Sequence, residues 1–155
     1  PCLQGHSIGI ISEAGCPGVA DPGAEIVRVA HQKALRVIPL VGPSSLLLAM
    51  MSSGLNGQNF AFNGYLPIDK QVRRKTLKIL ERKVQEGQSQ LFIETPYRNQ
   101  QLLSDLIETL QADTLLCIAT DLTLPTESIR TLPISQWKHT SVDLQKRPTL
   151  FIIGR

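Results

Sequence analysis

The residues best placed to do chemistry in this chain lie at the ends of apolar runs. In Phe92-Ile93-Glu94-Thr95-Pro96-Tyr97-Arg98 a carboxylate closes such a run beside an aromatic and an arginine. A charge there is rarely left unpaired. The segment admits two readings, a structural Glu94–Arg98 pair or a site that faces a substrate. Near the start, Ser12-Glu13-Ala14-Gly15-Cys16-Pro17-Gly18-Val19-Ala20-Asp21-Pro22-Gly23 follows another apolar run, and α/β folds place ligands at the carboxyl ends of parallel strands. Its glycines let backbone approach a ligand closely, and Glu13 could accept hydrogen bonds from ribose hydroxyls or meet a cation. The pattern is neither GxGxxG nor a Walker loop, so no phosphate cradle is expected. The plainer reading is a tight strand-to-helix turn with Asp21 as its cap. Val41-Gly42-Pro43-Ser44-Ser45 poses the same choice, because Ser44 and Ser45 either cap a helix or border a ligand.

Further along, Arg74, Lys78 and Arg82 recur every four residues with Lys75 beside them, opposite Val72, Ile79, Leu80 and Val84. Such a stripe is either the solvated face of an amphipathic helix or a surface suited to RNA phosphates. His6, His31 and His139 have no partners at ligand spacing, and Cys2, Cys16 and Cys117 are far apart with no CxxC. Neither a metal site nor a disulfide framework is expected, and a reducing, cytoplasmic setting is the default.

The elements that must hold these residues can be read from periodicity. A strand over 7–12, a helix opening at Asp21-Pro22 and running to about 34, and a strand over 35–40 have the length and order of a parallel βαβ crossover. A second helix runs from Ser44-Ser45 to about 53, and Gly54-Leu55-Asn56-Gly57-Gln58-Asn59 is the best boundary, dividing 1–56 from 57–155. Beyond it the pattern predicts a strand over 60–66, the basic helix over 69–86, a strand over 90–94, an amphipathic helix over 97–111 and a strand over 115–119. Strands over 127–132 and 149–153, joined through a short helix over 135–138, complete it. The fold class is α/β: a partial N-terminal parallel unit followed by a fuller C-terminal α/β domain with a mixed sheet.

Composition agrees, and excludes several classes of protein. With 42% hydrophobic and 19% charged residues the chain is neither a disordered tail nor a collagen. No apolar window of about 18 residues exists, which rules out a membrane span. The formal charge of +3 is too small to demand a nucleic-acid partner, but 69–86 holds seven basic residues and three acids, leaving −1 for everything else. Seven aromatics, mostly in strand-like runs, argue against an extensive platform for stacking single-stranded RNA.

Taken together, 12–23, Val37-Ile38-Pro39-Leu40-Val41-Gly42-Pro43-Ser44-Ser45, Phe62-Asn63-Gly64-Tyr65-Leu66-Pro67 and 92–98 resemble the tetrapyrrole methylase family of S-adenosylmethionine-dependent methyltransferases. The branch most like it methylates a ribose 2′-hydroxyl of small-subunit ribosomal RNA, with the patterns SDAGTPxxSDPG, PLPGPSA, FEGFLP and ESxHR in the same order. The resemblance implies a two-domain enzyme that binds S-adenosylmethionine without a metal and works as a homodimer. It places Ser12, Glu13, Gly15 and Cys16 on the loop bordering the donor and Ser44 and Ser45 near its adenosine. Ile93, Glu94 and Thr95 would face the donor, with Ala119, Thr120, Pro148, Thr149 and Leu150 walling the adenine. Glu13 and Cys16 stand where the branch has Asp and Thr. Thr120 and Asp121 stand where its ARELT-like box has Arg and Glu.

From these matches Glu94 or Asp121 is the candidate general base for a hydroxyl acceptor, and Arg74, Lys75, Lys78, Arg82 and Arg98 are candidate contacts to ribosomal RNA. A tetrapyrrole acceptor, or a binding module without catalysis, is the competing reading. The family's first strands, with TPIGN-like and AEDTR-like boxes, have no counterpart before Pro1. The chain is therefore expected to start partway through a larger fold, to bind the donor poorly alone, and to leave a strand edge near 7–12 that frays or pairs with another copy.

Overall fold

A computed structural model of the chain describes residues 1–13 and 15–155. Ala14, in the 12–23 loop, lies outside the described residues. Two compact units are present, Pro1–Ser44 and Ser45–Arg155.

The first unit holds a 3₁₀ turn, Cys2–Gln4, and one helix, α1 (Ala24–Gln32). The predicted strands over 7–12 and 35–40 carry no regular secondary structure and join no ladder among the described residues. A strand exists by virtue of its neighbours' hydrogen bonds, and one parallel pair is marginal by itself. The expected parallel βαβ crossover is thus not formed in this unit, and Ile8, Ile11, Ile38 and Leu40 remain exposed. Nor does the helix open at Asp21: Gly23, at φ 134°, precedes its first turn, while the Pro22 carbonyl accepts from Gly18 N–H at 3.2 Å in the preceding loop. That φ suits only glycine, and a Cβ at Gly23 would meet Ile10 Cγ2 at 3.5 Å.

The second unit is a five-stranded mixed sheet with helices on both faces. Its elements are α2 (Ser45–Ser53), β1 (Phe60–Tyr65), α3 (Lys70–Gln85), β2 (Ser89–Ile93), α4 (Asn99–Thr109), β3 (Leu115–Thr120), β4 (Ser128–Pro133), α5 (Ile134–Trp137) and β5 (Thr149–Gly154). Each lies within a residue or two of its sequence-based bounds. The strand order is β1-β2-β5-β3-β4. β1 and β2 are parallel, and β5 is antiparallel to both β2 and β3. Strands β1, β2 and β3 therefore share one direction and end at one edge.

Alternation along the strands divides the core in two. Phe92, Leu116, Ile118, Phe151 and Ile153 pack with α3, α4 and Trp137. Leu91, Cys117, Ala119, Leu150 and Ile152 pack with Ala49 and Met50 of α2. Phe92 and Phe151, paired in the ladder, stack with centroids 6.0 Å apart. α2, which lies before the boundary expected at 56/57, packs on β3, β4 and β5.

Helix α3 is capped by Asp69, whose carboxylate accepts from Val72 N–H at 2.9 Å. Its inner face is Arg73, Leu77, Leu80, Glu81 and Val84. Val72 and Ile79, expected on that face, are 49% and 56% exposed. Two charges take their place because each finds a partner: Arg73 Nε donates to Asp105 of α4 at 2.9 Å, and Glu81 Oε1 accepts from Gln111 N–H and Thr114 Oγ1, both at 2.7 Å. Burial alone would raise the Asp105 pKa, but the Arg73 guanidinium and the nearby Lys70 outweigh it and hold the carboxyl below its ordinary value.

Candidate functional site

At the edge where β1, β2 and β3 end, the ladder registers align one row across all five strands: Tyr65, Ile93, Leu150, Ala119 and Ile129. The next row holds Thr149, Thr120 and Ser128. Residues far apart in sequence, Ile93, Ala119, Thr120, Thr149 and Leu150, thus become neighbours. Ala119 and Leu150 are buried with α2, while the Thr149 hydroxyl donates to the Arg147 carbonyl at 3.0 Å and lies 3.5 Å from Thr120 Oγ1. Ile93, Ala119 and Leu150 thus form an apolar row bordered by the Thr120 and Thr149 hydroxyls, with Ala119 and Leu150 covered by α2.

The two candidate bases sit at the same edge, and both are engaged. Glu94 Oε1 accepts from Thr95 N–H at 2.6 Å and from Arg98 Nε and Nη2 at 3.1 and 2.8 Å. The structural Glu94–Arg98 pair is therefore formed, with the Glu94 side chain 2% and that of Arg98 38% exposed. Asp121 Oδ2 accepts from Thr126 Oγ1 and Arg147 Nε, each at 2.8 Å. These two partners, the Thr126 hydroxyl first, hold its carboxyl below the ordinary value. A carboxylate stabilised in its charged form is a weaker base. Asp121 and Thr123 adopt φ of 53° and 69°, the left-handed region that non-glycine residues seldom occupy. Arg147 holds this turn in place by donating also to the carbonyls of Thr126 and Asp143.

Residues the sequence reading did not single out position this edge. Asn99, fully buried, donates to the Arg147 carbonyl at 2.8 Å and so ties the start of α4 to Pro148 and Thr149. Arg147 itself sits in a loop without periodicity, and no spacing marks it. Tyr65 and Tyr97 are 60% and 78% exposed at this edge, whereas Phe92, Trp137 and Phe151 are core.

In the first unit, Cys16 Sγ lies 3.6 Å from the Pro43 carbonyl, which brings the 12–23 loop against the turn that carries Ser44. Glu13 and Gly15 are exposed there, Gly15 at φ 79°, and Ser12 is half-buried. Ser45 begins α2 in the second unit.

The basic stripe of α3 is divided by its partners. Arg74 pairs with Glu108 of α4, which removes it from the expected free face, whereas Lys75, Lys78 and Arg82 have no carboxylate partner among the described residues. Among the described residues no group of three metal-binding side chains occurs, and no helix is long and apolar enough to cross a membrane.

The fold is that of the tetrapyrrole methylases. It is shared with the methyltransferase CobJ, at a TM-score of 0.60 and 17% identity over 91% of this chain and 62% of that one. It is shared also with uroporphyrin-III C-methyl transferase from Thermus thermophilus, solved with S-adenyl homocysteine, at 0.52 and 16% over 91% and 63%. No family model matches the chain. By sequence it is 33% identical over 135 residues to ribosomal RNA small subunit methyltransferase I of Vibrio cholerae, and 32% identical over 133 residues to that of Escherichia coli O157:H7. The alignments cover 86% of this chain and 46% of each relative, so it spans about half their length. Over most of its length the chain is thus similar in sequence to these ribosomal RNA methyltransferases, and it shares the fold of the tetrapyrrole methylases.

Proposed function

We propose that the chain is part of an S-adenosylmethionine-dependent methyltransferase that modifies a ribose 2′-hydroxyl of small-subunit ribosomal RNA, working in the cytoplasm as a homodimer. One observation carries the reading: four family motifs, in family order, lie in a chain one-third identical to ribosomal RNA methyltransferases. The convergence of Ile93, Leu150 and Ala119 at the carboxyl edge of the sheet supports it, since that edge is where α/β sheets take ligands.

S-adenosylmethionine supplies an electrophilic methyl group on a sulfonium. What the protein must add is position and the exclusion of water. In this reading Ile93, Ala119 and Leu150 form an apolar wall for the adenine, while Thr120 and Thr149 border it. Ser12, Glu13, Gly15, Cys16 and Ser44 are the first unit's candidates for donor contact, and Ser45 is a candidate in the second. Pro148 and Thr95 hold backbone at the rim. Glu94 and Asp121 act as orienting groups through Arg98 and Arg147, and their engagement argues against either as the proton acceptor.

The test is transfer of labelled methyl to small ribosomal subunits from a strain lacking the modification. It uses the 155-residue chain and the product of its whole reading frame. The reading expects label in alkali-resistant ribose-methylated dinucleotides. Label in a tetrapyrrole extract, or donor binding with no transfer to either acceptor, refutes it.

A further inference from the structure

Helix α3 carries seven cations, and the structure separates them by partner. Lys70 and Arg73 meet Asp105, Arg74 meets Glu108, and Lys83 meets Glu86. Lys75, Lys78 and Arg82 meet no carboxylate among the described residues. Lys78 and Arg82, one turn apart, line a cleft of about 330 Å³ with Glu81, Gln85, Thr109 and Gln111. Thr109 is in the last turn of α4, and its Oγ1 is buried with no hydrogen-bond partner. A buried hydroxyl without a partner is uncommon in a folded protein and calls for an explanation. Threonine in a helix has two accessible χ1 rotamers, so this hydroxyl can turn to a ligand. Glu81 opposes an anion, but its Oε1 is bonded to Gln111 N–H and Thr114 Oγ1, and the cleft retains two cations against one carboxylate.

From this arrangement we infer that the α3–α4 cleft is an anchoring subsite for a backbone phosphodiester of the RNA substrate. The inference rests on the RNA reading above. The Lys78 ammonium and Arg82 guanidinium neutralise the phosphate, and the Thr109 hydroxyl donates to one of its oxygens. The site is remote from the methyl-transfer edge, because α3 and α4 finish where β2 and β3 begin, at the opposite end of the strands. Strands of five or six residues are about 17–20 Å long, so one RNA can occupy both ends. A remote phosphate contact supplies affinity and register without touching the reacting atoms, and its loss raises KM while kcat is kept.

Fluorescence anisotropy with a labelled fragment of small-subunit ribosomal RNA, over about 0.05–0.3 M salt, tests this on the 155-residue chain, on K78Q/R82Q and on T109V. Each phosphate contact contributes about 0.7 to the salt slope on single strands and about 0.9 on duplex. The double variant is expected to lose the one phosphate contact, about 0.7 to 0.9 of that slope, and to bind more weakly. T109V is expected to weaken RNA binding without lowering the unfolding midpoint followed by Trp137 fluorescence, since it removes an unbonded hydroxyl. A T109V that binds RNA as well as the parent, or that binds less only because it is less stable, overturns the role of Thr109. RNA bound by the parent with the same affinity and slope in K78Q/R82Q overturns the cleft and leaves the RNA reading intact. Inorganic phosphate protecting the cleft lysine from acylation while RNA does not also overturns it. No RNA binding by the parent, with donor binding measured by calorimetry, removes the RNA reading itself.

Discussion

Removing the charge of Asp105 is expected to destabilise the second unit by about 3–5 kcal/mol, the range for breaking a buried ion pair from one side. The structure sets the size of the effect. Asp105 is fully buried and Arg73 only 6% exposed, so neither charge regains water when its partner is lost. Lys70 Nζ and Arg74 Nε also lie 3.7 Å from Asp105 Oδ1, so three cations would be left around one neutral side chain. Asp105→Asn keeps an acceptor for Arg73 and should fall near the lower end, whereas Asp105→Ala should reach the upper. Over the residues of this unit the range corresponds to a fall in Tm of roughly 10–20 °C. Trp137, the only tryptophan and 2% exposed, reports unfolding of this unit by fluorescence. Replacing the pair by apolar residues, Arg73→Met with Asp105→Leu, should recover stability to within about 1–2 kcal/mol of the parent. The pKa of Asp105 is lowered in the folded state, so its contribution is complete above the ordinary carboxylate value of about 3.9 and is lost as the pH falls through the folded value. Asp105→Asn should therefore flatten the acid side of the stability profile. A single variant within about 1 kcal/mol of the parent, or a double variant no better than the sum of the singles, would refute the reasoning.

Other predictions concern the carboxyl edge and the thiols. Asn99→Ala removes the donor to the Arg147 carbonyl and should cost about 1–3 kcal/mol in urea unfolding, together with a loss of donor affinity. Asp121→Asn should weaken donor binding in calorimetry and leave RNA affinity unchanged, because it loosens the turn held by Thr126 and Arg147 and leaves α3 untouched. Burial raises the Cys117 thiol pKa more than its contact with Thr131 lowers it. Native alkylation at neutral pH followed by mass spectrometry should modify Cys2 and Cys16, which are half-buried, well before Cys117. Equal labelling of all three would mean that β3 opens readily.

How much of this was legible in the sequence depends on how local the cause is. The elements of the second unit follow from period and turn chemistry, and Asp69 caps α3 as a helix start of its type should. The four motifs likewise point to a family through short runs of neighbouring residues. The inner face of α3 was not legible: periodicity favours Val72 and Ile79, yet Arg73 and Glu81 are buried instead. Their partners, Asp105 and Thr114, are about thirty residues away, and nothing in the helix announces them.

The same distinction governs the site and the first unit. By itself the sequence determined which strand ends carry polar residues, that the basic charge gathers on one helix, and that the residues of 12–23 and 37–45 suit loops at strand ends. Tertiary structure alone decided that Ile93, Leu150 and Ala119 share a row, because register is a relation between strands. It decided too that Glu94 and Asp121 are occupied by Arg98 and Arg147, and that among the described residues Lys78 and Arg82 form no ion pair while Arg74 does. The segments over 7–12 and 35–40 show the converse. Their composition is that of strands, but strand structure lies in hydrogen bonds to a neighbour, and where no ladder forms an apolar run stays irregular and exposed.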